Sequence, residues 1–548
     1  MAIFLIAFTS IIILIIGYFF YGRFLSKWFS LDKNFTTPAC EINDGIDYVP
    51  AKAPLLLGQH FSAIAAAGPI VGPILAGLWF GWLPVIIWII VGSIFMGAVH
   101  DFSSLVGSVR HKANSIAEIV KNYVGKKAFG FFLVFIWFSL VYVIIVFADL
   151  TSSSFAEVTY GGGVASSSFF YLIIGVVMGI CLYKLKMPLW VATLIFVPLV
   201  GFNIWYGQKI PFIINSPNAK FIWNLIVLCY CFIASVAPMW ILLQPRGYLG
   251  GVFLYAVLFA GVFGILLGGT YTQYPAFLGF TNSGKSIFPI LFITVACGAC
   301  SGFHSIVATG TTSKQIRKET DCLPIGFGGM LLEALVAIIA LATLMMISPG
   351  DPLLSQTPDR IYANGLSSFV GKFGINREFA FSFALLAFAT FIYDTLDVTT
   401  RLGRYIFQEL TGLSGAKGRI LATLATLFIP FIYFFIIPIL TGGKLSAWQA
   451  IWSIFGASNQ LLAGLTLLGV SSWLVCKGKK PFITIIPMIF IFAVTIWTLI
   501  LNIIPIFKTG LSLDVKSINA ILAIIILFVA IPIITESVKV MKNKWSQL

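Results

Sequence analysis

Charge is scarce in this chain. Asp, Glu, Lys and Arg make up 10% of its 548 residues, and hydrophobic residues make up 59%. A soluble domain carries about 25% charged residues, so a soluble protein of this length could not cover its surface. The same apolar excess excludes a disordered chain. Histidine is scarcer still: four residues cannot furnish a haem–copper oxidase. The eight cysteines are scattered, several of them in apolar runs (Cys181, Cys231, Cys297, Cys300), and the one CxxC spacing, Cys297-Gly298-Ala299-Cys300, has no second pair to match it. Neither a zinc site nor a disulfide framework is indicated. A GxxxxGKS spacing occurs once, from Gly279 to Ser286, but the chain leaves no room for a nucleotide-binding domain around it, which argues against an ATP-driven pump. The first apolar run lacks a basic n-region and a cleavage site, so it is expected to be a retained helix.

Long apolar runs are abundant. A span needs about 20 apolar residues. About fifteen stretches qualify, roughly 3–22, 55–78, 82–108, 128–150, 165–184, 187–206, 220–243, 249–269, 287–309, 326–347, 379–400, 420–441, 447–474, 481–506 and 517–538. The prediction is an all-α polytopic membrane protein with a single transmembrane domain over 1–548. The net charge of +15 would point to nucleic acid in a soluble protein. Here it reads as cations on cytoplasmic loops, and no nucleic-acid partner is expected. Connections after odd-numbered spans hold 25 of the 34 Lys and Arg, and those after even-numbered spans hold nine. This alternation predicts an N-terminus outside and a cytoplasmic C-terminus. There Lys539, Lys542 and Lys544 suit contact with anionic lipid.

Function is expected where polar groups or helix breakers enter the membrane, since an ionisable group at mid-span costs about 2.5–3.5 kcal/mol. The stretch from Gly58 to Pro73 contains Gln59, His60, Ser62 and two Gly-Pro pairs, Gly68-Pro69 and Gly72-Pro73. Proline removes a backbone donor and clashes with the preceding turn, so an unwound or kinked helix is predicted. Irregular backbone at membrane depth is tolerated where it lines a cavity or packs in protein. Such discontinuous helices form substrate sites in secondary transporters; the plain alternative is a packing kink. Cys297 to Thr312 is rich in small residues, with Gly298, Gly302 and Gly310 around His304 and Ser305. Small residues also serve close helix packing.

Few ionisable groups fall in or near spans: Asp101, Asp149, Glu333, Asp394, Asp397, Glu536, His60, His100 and His304. His100-Asp101 could relay protons, because His titrates near neutrality; otherwise Asp101 would pair with Arg110 or Lys112. Asp394, Asp397 and Arg401 share one helix face, and Asp397 with Arg401 forms an i,i+4 pair. They read either as a solvated helix end or as an intramembrane network coupling an ion to substrate. Asn459-Gln460 is an adjacent amide pair suited to bonds across helices or to substrate.

The second and ninth stretches share a faint pattern around His60 and His304. It predicts two five-helix repeats of inverted topology, 55–206 and 287–474, with 3–22, 220–269 and 481–538 peripheral. Paired broken segments point to a transporter site.

At these motifs the sequence resembles the carbon starvation protein A (CstA) family. The matching stretches are Gly45-Ile46-Asp47-Tyr48-Val49-Pro50, Gly58 to Pro73, Gly97-Ala98-Val99-His100-Asp101-Phe102, Ala237-Pro238-Met239-Trp240 with Gln244-Pro245-Arg246, Ser301 to Thr312, and Phe455 to Gln460. The chain looks like a short form, without the long C-terminal extension of some members. The family usually has Gln at the position of His100. The resemblance implies a bacterial inner-membrane importer of peptides or pyruvate, used when carbon is scarce and driven by protons. It also implies LeuT-like inverted repeats, in which the first broken helix of each repeat lines the substrate site. A Na⁺ site in such folds would fall at Thr399-Thr400.

The leading expectation is thus a symporter, not an enzyme, in the lipid bilayer. Gln59, His60, Ser62, Gly68, Gly302, His304, Ser305, Asn459 and Gln460 would bind substrate. Asp101, Asp394, Asp397, Thr399, Thr400 and Arg401 would couple H⁺ or Na⁺, and no cofactor is called for. The rival is a redox or metal-binding membrane protein using His60, His100 and His304 as ligands to a metal or haem.

Overall fold

The computed structural model describes all residues except Met1, 45–47, Met239, Ser283, 443–445, 511, 513 and 546–548. Gly45, Ile46, Asp47 and Met239 of the family motifs lie outside the described residues. Among the described residues, thirteen helices are long and apolar enough to cross a membrane, and one bent pair adds a broken span. The elements used below are α1 Ala53–Ile64 and α2 Gly68–Phe80 (the bent pair), α3 Trp82–Arg110, α4 Lys126–Phe155, α5 Ala219–Val236, α6 Leu243–Leu266, the short helices α7 Ile287–Thr294, α8 Ala296–Ala299 and α9 Gly302–Val307, then α10 Glu319–Met345, α11 Arg377–Thr411 and α12 Ala447–Cys476. The apolar stretch 287–309 therefore forms three short helices instead of one continuous helix.

Burial separates a centre from a rim. The apolar stretches of α4, α10, α11 and α12 are buried over 78–94% of their length, against 22% for Ile3–Trp28 and 28% for Leu189–Lys209. The rim helices expose large apolar side chains such as Phe20, Trp190, Leu194, Phe428 and Phe528. In lipid, exposed apolar surface carries no penalty, and the internal contacts are packing contacts.

Both breaks have local causes. Pro69 has no N–H and its ring clashes with the carbonyl four residues back; α1 stops at Ile64, and α2 restarts at Gly68 after a bend of 49°. In the second segment Cys300 (φ −163°, ψ 112°) and Ser301 (φ −119°, ψ 126°) are extended, dividing α8 from α9.

Glycine lets the two broken segments touch. A Cβ on Gly68 would overlap Cys297, one on Gly72 would overlap the Thr294 carbonyl, and one on Gly302 would overlap the backbone of α12 at Asn459. A side chain end can turn away, but a backbone carbonyl cannot. Gly72→Ala is therefore expected to lower stability by about 1–3 kcal/mol, the usual cost of overpacking. Gly201, on a rim helix with no atom near the would-be Cβ, serves as the control. Thermal melts in detergent should show a lower midpoint for Gly72→Ala and none of that loss for Gly201→Ala.

Candidate functional site

Bare backbone at a helix break must find partners inside the protein. Here α12 supplies them. Asn459 Oδ1 accepts from the Phe303 amide at 3.0 Å and from Ser301 Oγ at 3.2 Å, at the start of α9. Gln460 Nε2 donates to the Phe292 carbonyl of α7 at 2.8 Å. Ser305 Oγ donates to the Gly302 carbonyl and sits 3.0 Å from Thr466 Oγ1. These three candidates hold the break itself together.

Two clusters of buried charge flank α1. In the first, His304 stands between two carboxylates. Its Nδ1 lies 2.8 Å from Asp101 Oδ2, and its Nε2 lies 3.0 Å from Glu333 Oε2. Asp101 Oδ1 takes His100 Nδ1 at 2.7 Å. All four side chains are at most 1% exposed. Asp101 thus pairs with histidines, while Arg110 pairs with Glu319 at the end of the bundle. His60 reaches this side of α1: its Nδ1 meets Thr312 Oγ1 at 2.9 Å, and its ring lies against Gly329 beside Glu333's helix.

The second cluster is centred on Arg246 of α6, which is fully buried. Its guanidinium forms an ion pair with Asp397 through Nη1 and lies 3.5 Å from Asp394 through Nε. Tyr230 donates to Asp397 at 2.8 Å. The rings of Tyr393 and Tyr230 stand 5.0 and 5.5 Å from the guanidinium carbon, within cation–π range. Ser62 of α1 donates to Asp394 at 3.0 Å. A Cβ on Gly250 would overlap the Asp394 carboxylate, so glycine there makes room for the charge. His60 and Ser62, two residues apart, thus face different clusters from one short helix.

Three expectations change. The Asp397 ion pair is with Arg246; Arg401 donates instead to the Ala234 and Ala237 carbonyls, both at 2.7 Å, at the C-terminal end of α5. Orphan carbonyls at a helix end are natural acceptors for such a cation. The stretch 220–269 is not peripheral, because α5 and α6 bring Tyr230 and Arg246 to the centre. Arg246 is also not a loop cation. Thr400 Oγ1 donates to Leu396 of its own helix at 2.8 Å, and the Thr399 hydroxyl is buried without a hydrogen-bond partner. Gln59 is half-buried next to His60, and Gly68 sits against Cys297. Asp149, another buried carboxylate, takes Lys220, Asn224 and the Trp448 amide at the start of α12. Among the described residues no three His, Cys, Asp or Glu are grouped to hold a metal.

The ends of the bundle differ. At one, Glu319 takes Arg110 Nε at 2.6 Å and the Asp32 amide at 2.7 Å. Beyond the opposite end of α10 lies a cavity of about 680 Å³ lined by Tyr160, Gln356, Arg360, Asn364, Arg377 and Phe381. Glu157 forms an ion pair with Arg360 at its edge.

Sequence reasoning left Arg246, Tyr230 and Glu333 without roles. Arg246 was legible only as part of a family motif, and Glu333 only as a carboxylate in an apolar run.

The family described as Carbon starvation protein CstA matches residues 1–353 and 351–498. A protein named Peptide transporter CstA from Campylobacter jejuni is 32% identical over 91% of this chain and 80% of its own length. One of the same name from Bacillus subtilis is 29% identical over 99% and 97%. The Pyruvate/proton symporter BtsT of Escherichia coli is 28% identical over 90% and 80%. A crystal structure of a manganese transporter of Eremococcus coleocola aligns over 92% of this chain and 99% of that one, with a TM-score of 0.50 and 14% identity; that likeness shows the helical fold alone.

Removing Arg246 would strand two buried carboxylates. Breaking a buried pair this way costs about 3–5 kcal/mol. Arg246→Ala is expected to lower the melting midpoint in detergent. Adding Asp394→Asn and Asp397→Asn should restore part of the loss, because the stranded charges are then gone.

Proposed function

Because the chain belongs to the carbon starvation protein CstA family, we propose that it imports a small carboxylate, pyruvate or a short peptide, across a bacterial inner membrane by proton symport. Membrane transport is what the chain shares with its named relatives. The cargo crosses with no bond made or broken. The observation that carries the reading is the placement of α1. This short, bent-pair helix lies between two buried charge clusters and touches them with different side chains: Ser62 reaches Asp394, and His60 faces the side of His304 and Glu333. Movement of α1 would then be felt by both clusters, which is the requirement for coupling an ion to a substrate.

Carboxylates and imidazoles are groups that can carry a proton, imidazole near neutral pH, and they make up the first cluster entirely. That composition favours H⁺ over Na⁺. Gln59, His60, Ser62 and Gly68 on one broken segment, and Gly302 and His304 on the other, would border the substrate. Half-helix N-termini there favour a carboxylate. Asp394 and Asp397 with Arg246 would report its arrival. Asn459, Gln460 and Ser305 would keep the second break in shape. The two breaks packed against each other fit inverted repeats over 55–206 and 287–474. For orientation, the excess of Lys and Arg on connections after odd-numbered spans favours an N-terminus outside and a C-terminus in the cytoplasm, which requires the broken segment 287–309 to cross as one interrupted span. The joining of Arg110, Glu319 and Asp32 at one end agrees with that sorting of connections.

The test is uptake of labelled pyruvate and, separately, of a dipeptide into proteoliposomes under an imposed proton or Na⁺ gradient. Accumulation of one of them under the proton gradient is expected. Accumulation only under Na⁺ would replace the driving ion, and none in folded, oriented protein would refute the reading. His304→Ala should abolish uptake with membrane insertion intact; unchanged uptake would remove His304 from the mechanism.

A further inference from the structure

We propose that Glu333 is the residue that carries the coupled proton, and that its contact with His304 locks the second broken segment until the proton is exchanged. The inference rests on the proton-symport reading above and assigns the proton to one residue of the first cluster. It starts from a count of partners. Asp101 has two: His100 Nδ1 at 2.7 Å and His304 Nδ1 at 2.8 Å. Among the described residues Glu333 has one polar contact, His304 Nε2 at 3.0 Å, and otherwise neither of its oxygens meets a hydrogen-bond donor. The side chain is fully buried.

The groups that face this point come from five elements: His60 from α1, His100 and Asp101 from α3, Cys297 from α8 with Cys300 just past its end, His304 from α9, and Glu333 from α10. No Lys or Arg is among them. A single imidazolium can balance one carboxylate but not two. An unbalanced buried carboxylate costs several kcal/mol. One further proton therefore belongs to the cluster whenever it is sealed. Asp101 keeps its partners through two histidines, so the carboxyl with the fewest partners, Glu333, is the place for it.

The contact also spans a mechanical boundary. Glu333 sits on a continuous helix, α10, whereas His304 sits on α9, just past the extended residues Cys300 and Ser301. Protonation at Glu333 turns an ion pair into a weaker neutral contact, and α9 is then held by Asn459, Thr466 and Asp101. Loss of the proton restores the pair. One proton thus biases one hinge, which is the local event a two-state transporter needs.

Glu333→Gln keeps the size of the side chain and mimics the protonated form. With one proton coupled per substrate, a pH step of one unit can support about tenfold accumulation, since one unit is worth about 1.36 kcal/mol. In proteoliposomes loaded with buffer only, wild type should reach that ratio with pyruvate or a dipeptide, and Glu333→Gln should show none. In vesicles preloaded with unlabelled substrate, Glu333→Gln should still exchange label, because exchange needs no net proton movement. Gradient-driven accumulation by Glu333→Gln equal to wild type overturns the assignment. Loss of exchange along with accumulation also overturns it, since the residue would then serve transport as a whole. If Glu333→Gln does not fold by size-exclusion chromatography, Glu333→Asp decides. A displaced pH profile of uptake supports the assignment, and a profile matching wild type overturns it. A wild type that accumulates neither probe under any gradient removes the symport reading, and the assignment with it.

Discussion

Inside a hydrocarbon layer no water is available to satisfy a bare amide, a bare carbonyl or an isolated charge. The rest of this structure depends on that constraint. Two helices are broken at membrane depth, one by Pro69 and the other around Cys300 and Ser301, and each break leaves backbone groups without intrahelical partners. At the second break the protein answers with side chains from α12, the most buried of the described spans. Asn459 meets the opening amide of α9, and Gln460 meets a carbonyl of α7. An apolar helix in that position could not hold the break. The adjacent amides are therefore a requirement of the irregular backbone, and the irregular backbone is what leaves His304 free of a regular helical row.

The same constraint governs the charges. Every carboxylate at the centre has a partner drawn from a different helix: Asp101 from α9, Asp397 and Asp394 from α6, Asp149 from α5 and from the first turn of α12. Such pairs do not add much net stability, because desolvation consumes the Coulombic gain. Their effect is on registry. Each one ties two or three helices at a single relative position, and a pair that can be weakened by one proton turns that tie into a switch. The charge clusters are best read as devices for choosing between arrangements of the bundle, with α1 in contact with both.

The difference between what was legible and what was not follows from sequence distance. Proline and glycine act on their own turn, so the breaks near Gly68 and Gly302 could be read directly. An i,i+4 rule also acts locally, and at Asp397 it pointed to Arg401. The rule was overridden because Arg401 meets two orphan carbonyls closing α5, while Asp397 meets a guanidinium 151 residues away in the chain. Arg246 falls between the apolar stretches 220–243 and 249–269 when these are read along the chain, although it stands in the first turn of α6. Nothing in its neighbourhood along the chain shows that α5 and α6 enter the centre.

By itself, the sequence determined the all-helical membrane class, the positions of the apolar runs, the broken segments and the short roll of ionisable residues in them. Each of these is a local property: the length of an apolar run, the missing N–H of proline, the cost of a charge in lipid. Only the tertiary structure decided which carboxylate meets which cation, that Asn459 and Gln460 close a break, and that His60 and Ser62 look toward different clusters. Pairing across helices depends on packing between residues hundreds of positions apart, and a single chain read from end to end carries no distance between them.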